Sequence, residues 1–233
     1  MIHTRKFILL KRTIITLVLL LISFSVYVVI VNRNSKTMTA RQQVLKAIYP
    51  AFMWFRKKSS KMETAPVKNS TVPVSFYSLK DTTIDGKEFD FSQLKGKKVL
   101  LVNTASDCGY TGQYEELQKL YTRFSDKLMI IGFPANDFKE QEKGTDEEIA
   151  EFCKVNYAVS FLLMKKSSVI KDKQQNEVFK WLTDAAKNGW NRQQPTWNFS
   201  KYLVDEEGRL INYFDPGLSP LDKEIITAIE NKK

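Results

Sequence analysis

Twenty consecutive residues, Thr13–Asn32, carry no charge and consist mainly of Leu, Ile and Val. A helix of that length crosses the hydrocarbon core of a bilayer. A water-facing globular surface has no place for such a run, so it divides the chain. A secretory signal has a shorter apolar region with a small-residue cleavage site close behind it. Here the run ends in Val31-Asn32-Arg33, and the nearest candidate, Met38-Thr39-Ala40, lies well beyond it. No lipoprotein-type cysteine follows either. The sequence therefore predicts an uncleaved, single-pass membrane anchor over 13–32. Arg5, Lys6, Lys11 and Arg12 precede it and Arg33, Lys36, Arg41 and Lys46 follow, so the positive-inside count is tied. The favoured orientation leaves the N-terminus inside and the domain extracytoplasmic.

The same division sorts the charge. The whole chain carries +10. Residues 1–74 hold thirteen Lys/Arg against the single acid Glu63, a charge of +12, and residues 75–233 hold 23 basic against 25 acidic residues, a charge of −2. A nucleic-acid surface would put its basic residues on the folded domain, so nucleic acid is excluded as a partner. The expected organisation is a basic flank over 1–12, the anchor over 13–32, a basic juxtamembrane segment and linker over 33–73, and one domain over 74–233. That last stretch is long enough for a single full core.

Within the juxtamembrane segment, Val44, Leu45, Ile48, Tyr49, Phe52 and Met53 recur at near-helical spacing, followed by Trp54 and Phe55. Two arrangements suit this pattern: a helix lying in the membrane interface, or one packed on the domain. Pro50 would kink either. Lys61–Pro73 is polar with two prolines and reads as a linker, and its Asn69-Ser70-Thr71 fits a glycosylation triplet.

From residue 74 the pattern alternates between strand and helix. Ser75–Leu79 and Lys87–Phe91 flank the turn signal Asp85-Gly86. Lys97–Asn103 and Leu128–Phe133 are apolar runs that read as buried strands. Tyr114–Phe124 has helical spacing, and Thr145-Asp146-Glu147-Glu148 is a capping box opening another helix. Val159–Met164 is predicted as strand and Glu177–Ala186 as helix. Phe199–Val204 and Arg209–Phe214 form a second hairpin, and Leu221–Asn231 a final helix. This is an α/β domain with a mixed sheet flanked by helices.

The chemistry is narrowed by two counts. His3 is the only histidine, and Cys108 and Cys153, 45 positions apart, are the only cysteines. The domain has no His for a Ser-His or Cys-His pair or for a zinc site, and no C-x-x-C. Cys108 sits where a strand gives way to a helix. Amide donors and the positive end of the helix dipole there favour thiolate; the competing reading is a buried structural cysteine.

Three blocks carry a family resemblance. Val102-Asn103-Thr104-Ala105-Ser106-Asp107-Cys108-Gly109-Tyr110-Thr111 resembles the first signature of the glutathione peroxidase family. Gly132-Phe133-Pro134-Ala135-Asn136-Asp137-Phe138-Lys139-Glu140-Gln141-Glu142 resembles the second, and Trp197-Asn198-Phe199-Ser200-Lys201-Tyr202-Leu203-Val204 the third. The resemblance covers about residues 75–231. It implies a thioredoxin-like fold and a thiol peroxidase with Cys108 in the peroxidatic position and Gln141, Trp197 and Asn198 completing the site. It further implies hydroperoxide substrates, no bound cofactor or metal, an external thiol reductant (a thioredoxin-like protein or glutathione), and a role in the response to oxidative stress.

Cys153 lies near the position of a resolving cysteine in thioredoxin-dependent members, one residue early. It also falls on an apolar helical stripe with Ile149, Phe152 and Tyr157, which makes a buried core cysteine the alternative. The long insertion that carries oligomer contacts in tetrameric members is absent between Lys165 and Pro195, so a monomeric domain is expected. Ala135, Asp137 and Leu162 depart from the usual Cys, Gln and Pro of the family. Asp137 is expected either to orient Gln141 or to raise the thiol pKa. Two alternatives to a peroxidase remain at this point: a general thiol–disulfide oxidoreductase and a non-catalytic membrane-tethered interaction module.

Overall fold

The computed structural model describes residues 2–66 and 72–231, with side chains described from Leu10 onward. Helix α1 spans Ile2–Val31, and within it Leu10–Val31 is long and apolar enough to cross a membrane, with none of its most apolar window buried in the protein. Asn32, expected inside the anchor, lies just past the helix end. Its buried amide donates to the carbonyls of Val28 (2.8 Å) and Gln43 (3.0 Å), so it turns the chain back.

Helix α2, Ala40–Lys57, starts at a capping box in which Thr39 and Gln42 bond reciprocally, and it contains Pro50. Of the two arrangements the sequence allowed, the structure shows the packed one. Tyr49 and Met53 are buried against the domain and Ala47 is buried as well, while Val44, Ile48, Trp54 and Phe55 stay exposed. Tyr27 of α1 donates to the Ala47 carbonyl (3.2 Å), and together with the Asn32–Gln43 bond this sets α2 antiparallel to α1.

The linker reading of 61–73 needs correction at its start. Strand β1, Met62–Thr64, pairs antiparallel with Asn212–Phe214 at the sheet edge. All three of its residues are exposed, so no burial pattern marked it. The Asn69-Ser70-Thr71 triplet lies outside the described residues. The first predicted hairpin strand, Ser75–Leu79, is instead a 3-10 turn over Phe76–Ser78. Phe76 is its one fully buried side chain, held by an edge contact with Phe91 and a tilted one with Trp181. The hairpin itself forms between β2, Lys80–Thr82, and β3, Glu88–Asp90, around Gly86 at φ +83°.

The main sheet is built on β4, Lys98–Thr104, and β5, Leu128–Pro134, which run parallel. Beyond β5 lies β6, only Leu162–Leu163, also parallel. On the other side β7, Lys201–Val204, and β8, Leu210–Phe214, run antiparallel, giving the order β1-β8-β7-β4-β5-β6. Strand β4 is buried throughout. Alternation sends Leu100 and Val102 to one core with helices α3 (Gln113–Phe124), α4 (Asp146–Tyr157) and α7 (Lys223–Glu230), and Val99 and Leu101 to the other. The helix expected over 177–186 breaks into α5, Glu177–Leu182, and α6, Ala185–Asn188, because Asp184 caps the Ala186 amide (2.9 Å) and starts a new turn.

Candidate active site

Strand β4 ends at Thr104, and α3 does not start until Gln113. The eight residues between form a tight turn with Cys108 at its centre. Thr111 holds that turn: its hydroxyl accepts from the Cys108 amide (3.0 Å) and donates to the Ala105 carbonyl (2.9 Å). The Tyr110 amide points at the Cys108 Sγ, 3.5 Å away. Cys108 is 1% exposed. Burial pushes its thiol pKa up, and Asp107 adds to that; the Tyr110 amide and the side chains of Trp197 and Asn198 pull the other way. The sequence expectation of a thiol biased toward thiolate is therefore corrected. The donors are there, but desolvation outweighs them in the resting protein.

Gln141, Trp197 and Asn198 reach this turn from two loops. The Asn198 amide donates to the Gln141 Oε1 (3.0 Å), and the Gln141 carbonyl accepts from the Asp107 amide (3.0 Å). Gln141 thus meets the cysteine turn through its backbone, while its side chain is held by Asn198. Asn103, one residue from the end of β4, donates to the Trp197 carbonyl (3.1 Å), and its own carbonyl accepts from the Phe199 amide (2.6 Å). The Trp197 ring lies 5.5 Å from Phe138 and carries Lys139 Nζ 5.7 Å from its centre. Of the four non-glycine residues at positive φ among the described residues, three flank the site: Lys139 (+54°), Glu140 (+50°) and Phe199 (+68°). Non-glycine residues seldom occupy that region, and such strain gathers at functional loops.

Two titratable groups next to the site went unread in the sequence. Glu142 is fully buried beside Gln141, where it accepts from the Ser106 hydroxyl (2.5 Å) and leaves Oε2 unpartnered. Burial pushes its carboxyl up to about 7. Lys201 is fully buried and donates to the carbonyls of Phe199 (2.8 Å) and Leu218 (2.8 Å), with burial lowering its pKa to about 7. Both lie within the quoted motif blocks. A charged side chain in a polar loop or at a strand start carries no sequence mark of burial.

Cys153 lies on the inner face of α4, fully buried, with burial pushing its thiol up to about 12; both cysteines are free. Asp137 does neither thing expected of it. Its carboxylate accepts from the Val169 amide (2.7 Å) and fixes a neighbouring loop. Ala135 is buried with its amide bonded to the Thr104 carbonyl (3.0 Å). Leu162 pairs with Ile131, so strand entry survives without the usual proline.

The glutathione peroxidase family profile matches residues 76–183. Glutathione peroxidase-like peroxiredoxin 2 of Saccharomyces cerevisiae is 44% identical over 154 residues, covering 65% of this chain and 94% of that protein. The glutathione peroxidase homolog BsaA of Staphylococcus epidermidis is 45% identical over 147 residues, covering 63% and 90%. Among solved structures, Trgpx in its apo form superposes with a TM-score of 0.52 at 32% identity, covering 68% of this chain and 97% of that one. A DsbF homologue from Corynebacterium diphtheriae gives 0.51 at 14% identity, covering 72% and 92%, and shows the thioredoxin-like fold alone. With a relative of this identity covered almost end to end, the chain belongs to the glutathione peroxidase family and is a peroxidase of thioredoxin-like fold.

Proposed function

We propose that Cys108 is the peroxidatic residue and that Gln141, Trp197 and Asn198 complete its site over the domain at 74–233. The observation that carries this reading is one buried sulfur with the Tyr110 amide 3.5 Å away and the neutral side chains of Trp197 and Asn198 favouring its thiolate. The Cys108 thiolate attacks one oxygen of the hydroperoxide and the O–O bond breaks. The Cys108 proton ends on the departing oxygen, which leaves as water or alcohol, and the sulfur becomes a sulfenic acid. Donors fixed in a water-poor pocket stabilise the charge as it shifts from sulfur to oxygen, and no titrating His is needed.

A thiol then condenses with the sulfenic acid, releasing water and forming a disulfide that a second thiol reduces. The thiol is either Cys153, making a disulfide for a thioredoxin-like protein to reduce, or glutathione directly. Hydrogen peroxide and organic and lipid hydroperoxides are the proposed substrates, and defence against oxidative stress the role. Residues 13–32 anchor a monomeric domain at the membrane, extracytoplasmic in the favoured orientation, which brings lipid hydroperoxides within reach.

Intact-mass analysis of the full chain after one equivalent of hydrogen peroxide, with and without Cys153→Ser, tests the chemistry. A loss of about 2 Da that vanishes in the variant means a Cys108–Cys153 disulfide, and a gain of about 16 Da in both means a one-cysteine cycle. An unchanged mass would sink the assignment of Cys108.

A further inference from the structure

Helix α2 lies wholly before residue 76, where the family profile begins. Yet its side chains hold the turn that carries Cys108 on both sides. Arg41 pairs with the Asp107 carboxylate and donates to the Asp107 carbonyl (3.2 Å), and Gln42 donates to the Ser106 carbonyl (3.1 Å). Past the cysteine, the Phe52 ring packs so close to Gly109 that an added Cβ would meet it at 3.3 Å. Phe52 also stacks edge-on with Tyr110 at 4.8 Å, and Arg56 Nε donates to the Tyr110 hydroxyl (2.7 Å). Residues 106, 107, 109 and 110 are all held from outside the family domain.

The chain leading into α2 grips α4 as well. The Lys36 amide donates to the Asn156 Oδ1 (3.2 Å), and Asn156 Nδ2 returns a bond to the Thr37 hydroxyl (2.7 Å). Lys46 Nζ sits 5.1 Å from the centre of the Tyr157 ring. Asn156 and Tyr157 close the helix one turn after Cys153. A disulfide needs its Cα atoms within about 7 Å, and both cysteines are buried in separate elements. Both are free thiols, so the turn, α4 or both must move before the sulfurs bond, and contacts that tie each to a third element raise the cost of that movement.

We propose that residues 36–56 form a strap that positions the peroxidatic turn and holds back the opening through which Cys153 reaches Cys108, with Arg41 and Phe52 as its main positioning residues. The inference rests on Cys108 being peroxidatic. The strap keeps the donor geometry that serves the peroxide step and slows the next one, in which the Cys153 thiol displaces hydroxide from the Cys108 sulfenic acid, forming the S–S bond and water.

The test uses the full chain in detergent micelles, as wild type, Arg41→Gln/Phe52→Ala, and the conservative pair Arg41→Lys/Phe52→Leu. Amide exchange in 105–111 and 150–157 is expected to quicken about tenfold in the first variant and to return toward wild type in the second, while β4 and β5 stay protected as the check on folding. After one equivalent of peroxide, the disulfide is expected to form about tenfold faster in the first variant, with the peroxide step no faster. Unchanged exchange in both segments overturns the strap. Faster exchange without faster disulfide formation, or no disulfide in any of the three, overturns its link to Cys153. Failure of every protein to react with peroxide would remove the peroxidase reading, and exchange would still decide the strap.

Discussion

Trp197→Phe isolates the contribution of one donor to the reactivity of Cys108. The Trp197 indole favours the Cys108 thiolate, and the ring packs against Phe138 at 5.5 Å. Phenylalanine keeps a ring for that stacking and removes only the N–H. A hydrogen bond to a charged group is worth about 1.5–3 kcal/mol. At about 1.4 kcal/mol per factor of ten, losing it lowers the thiolate population about 10- to 100-fold at any pH below the thiol midpoint. Burial already favours the neutral thiol, so the loss adds to an existing bias and no other charge compensates. The assay is the rate of Cys108 alkylation by iodoacetamide against pH, followed by mass, because it reads thiolate without invoking peroxide. Cys153, fully buried with its thiol pushed up to about 12, contributes no background in the useful range. The expected result is a midpoint moved to higher pH and a rate at pH 7 lowered by one to two orders of magnitude. A profile that overlays the wild type would show that the indole N–H does not act on the sulfur. A slower rate with an unmoved midpoint would mean altered access rather than altered acidity, and would refute the argument equally.

The two buried charges make separate predictions of opposite sign. Glu142, raised from 4.5 to about 7, keeps in the native state a proton that the unfolded chain releases, so its contribution makes stability fall as pH rises from about 4.5 to 7. The shift is worth about 3 kcal/mol. Glu142→Gln should flatten that slope in urea melts at pH 5 and 8, and equal slopes in the two proteins would rule the effect out. Lys201, lowered from 10.5 to about 7, binds fewer protons folded than unfolded between those values, so its contribution makes stability rise with pH across that window. Lys201→Met should remove this rise, which urea melts at pH 7 and 10 read directly; a rise of wild-type size in the variant counts against it.

The sequence was most legible where burial is continuous. The apolar runs that became β4 and β5 were placed to within one residue at either end, and the Thr145 capping box marked the start of α4. It was least legible where pairing alone makes the structure. Met62-Glu63-Thr64 has no buried residue and is a strand only because β8 offers it an edge. Ser75–Leu79 looked like the first arm of a hairpin, but Phe76 is the one side chain there that must be fully buried, and a 3-10 turn achieves it. At the candidate site, the motif blocks pointed to Cys108, Gln141, Trp197 and Asn198, which the structure brings together at one turn. The burial of Glu142 and Lys201 could not be read, because it is set by the elements packed around them rather than by their neighbours in sequence. Helix α2 shows the limit differently. Its apolar stripe was plain, and only the tertiary structure showed that Tyr49, Phe52 and Met53 face the domain while Val44 and Ile48 stay exposed.

The raised pKa of Cys108 looks at first like an argument against reactivity, but burial and donors act at different moments of the reaction. In the resting protein, desolvation penalises the thiolate, and the Tyr110, Trp197 and Asn198 donors only partly offset it. In the proposed peroxide step, negative charge spreads from sulfur onto the departing oxygen beside the same donors. Fixed dipoles need no reorganisation to follow it, and in a dry pocket each is worth more than in water. What counts is how much better the site binds the spread charge than the resting thiol. A site of neutral donors with no histidine has the thiol itself as the titrating group at the reacting centre, with Glu142 and Lys201 close behind it. The peroxide step should therefore follow the ionisation of Cys108, with Glu142 entering only through the Ser106 hydroxyl that it accepts from on the cysteine turn.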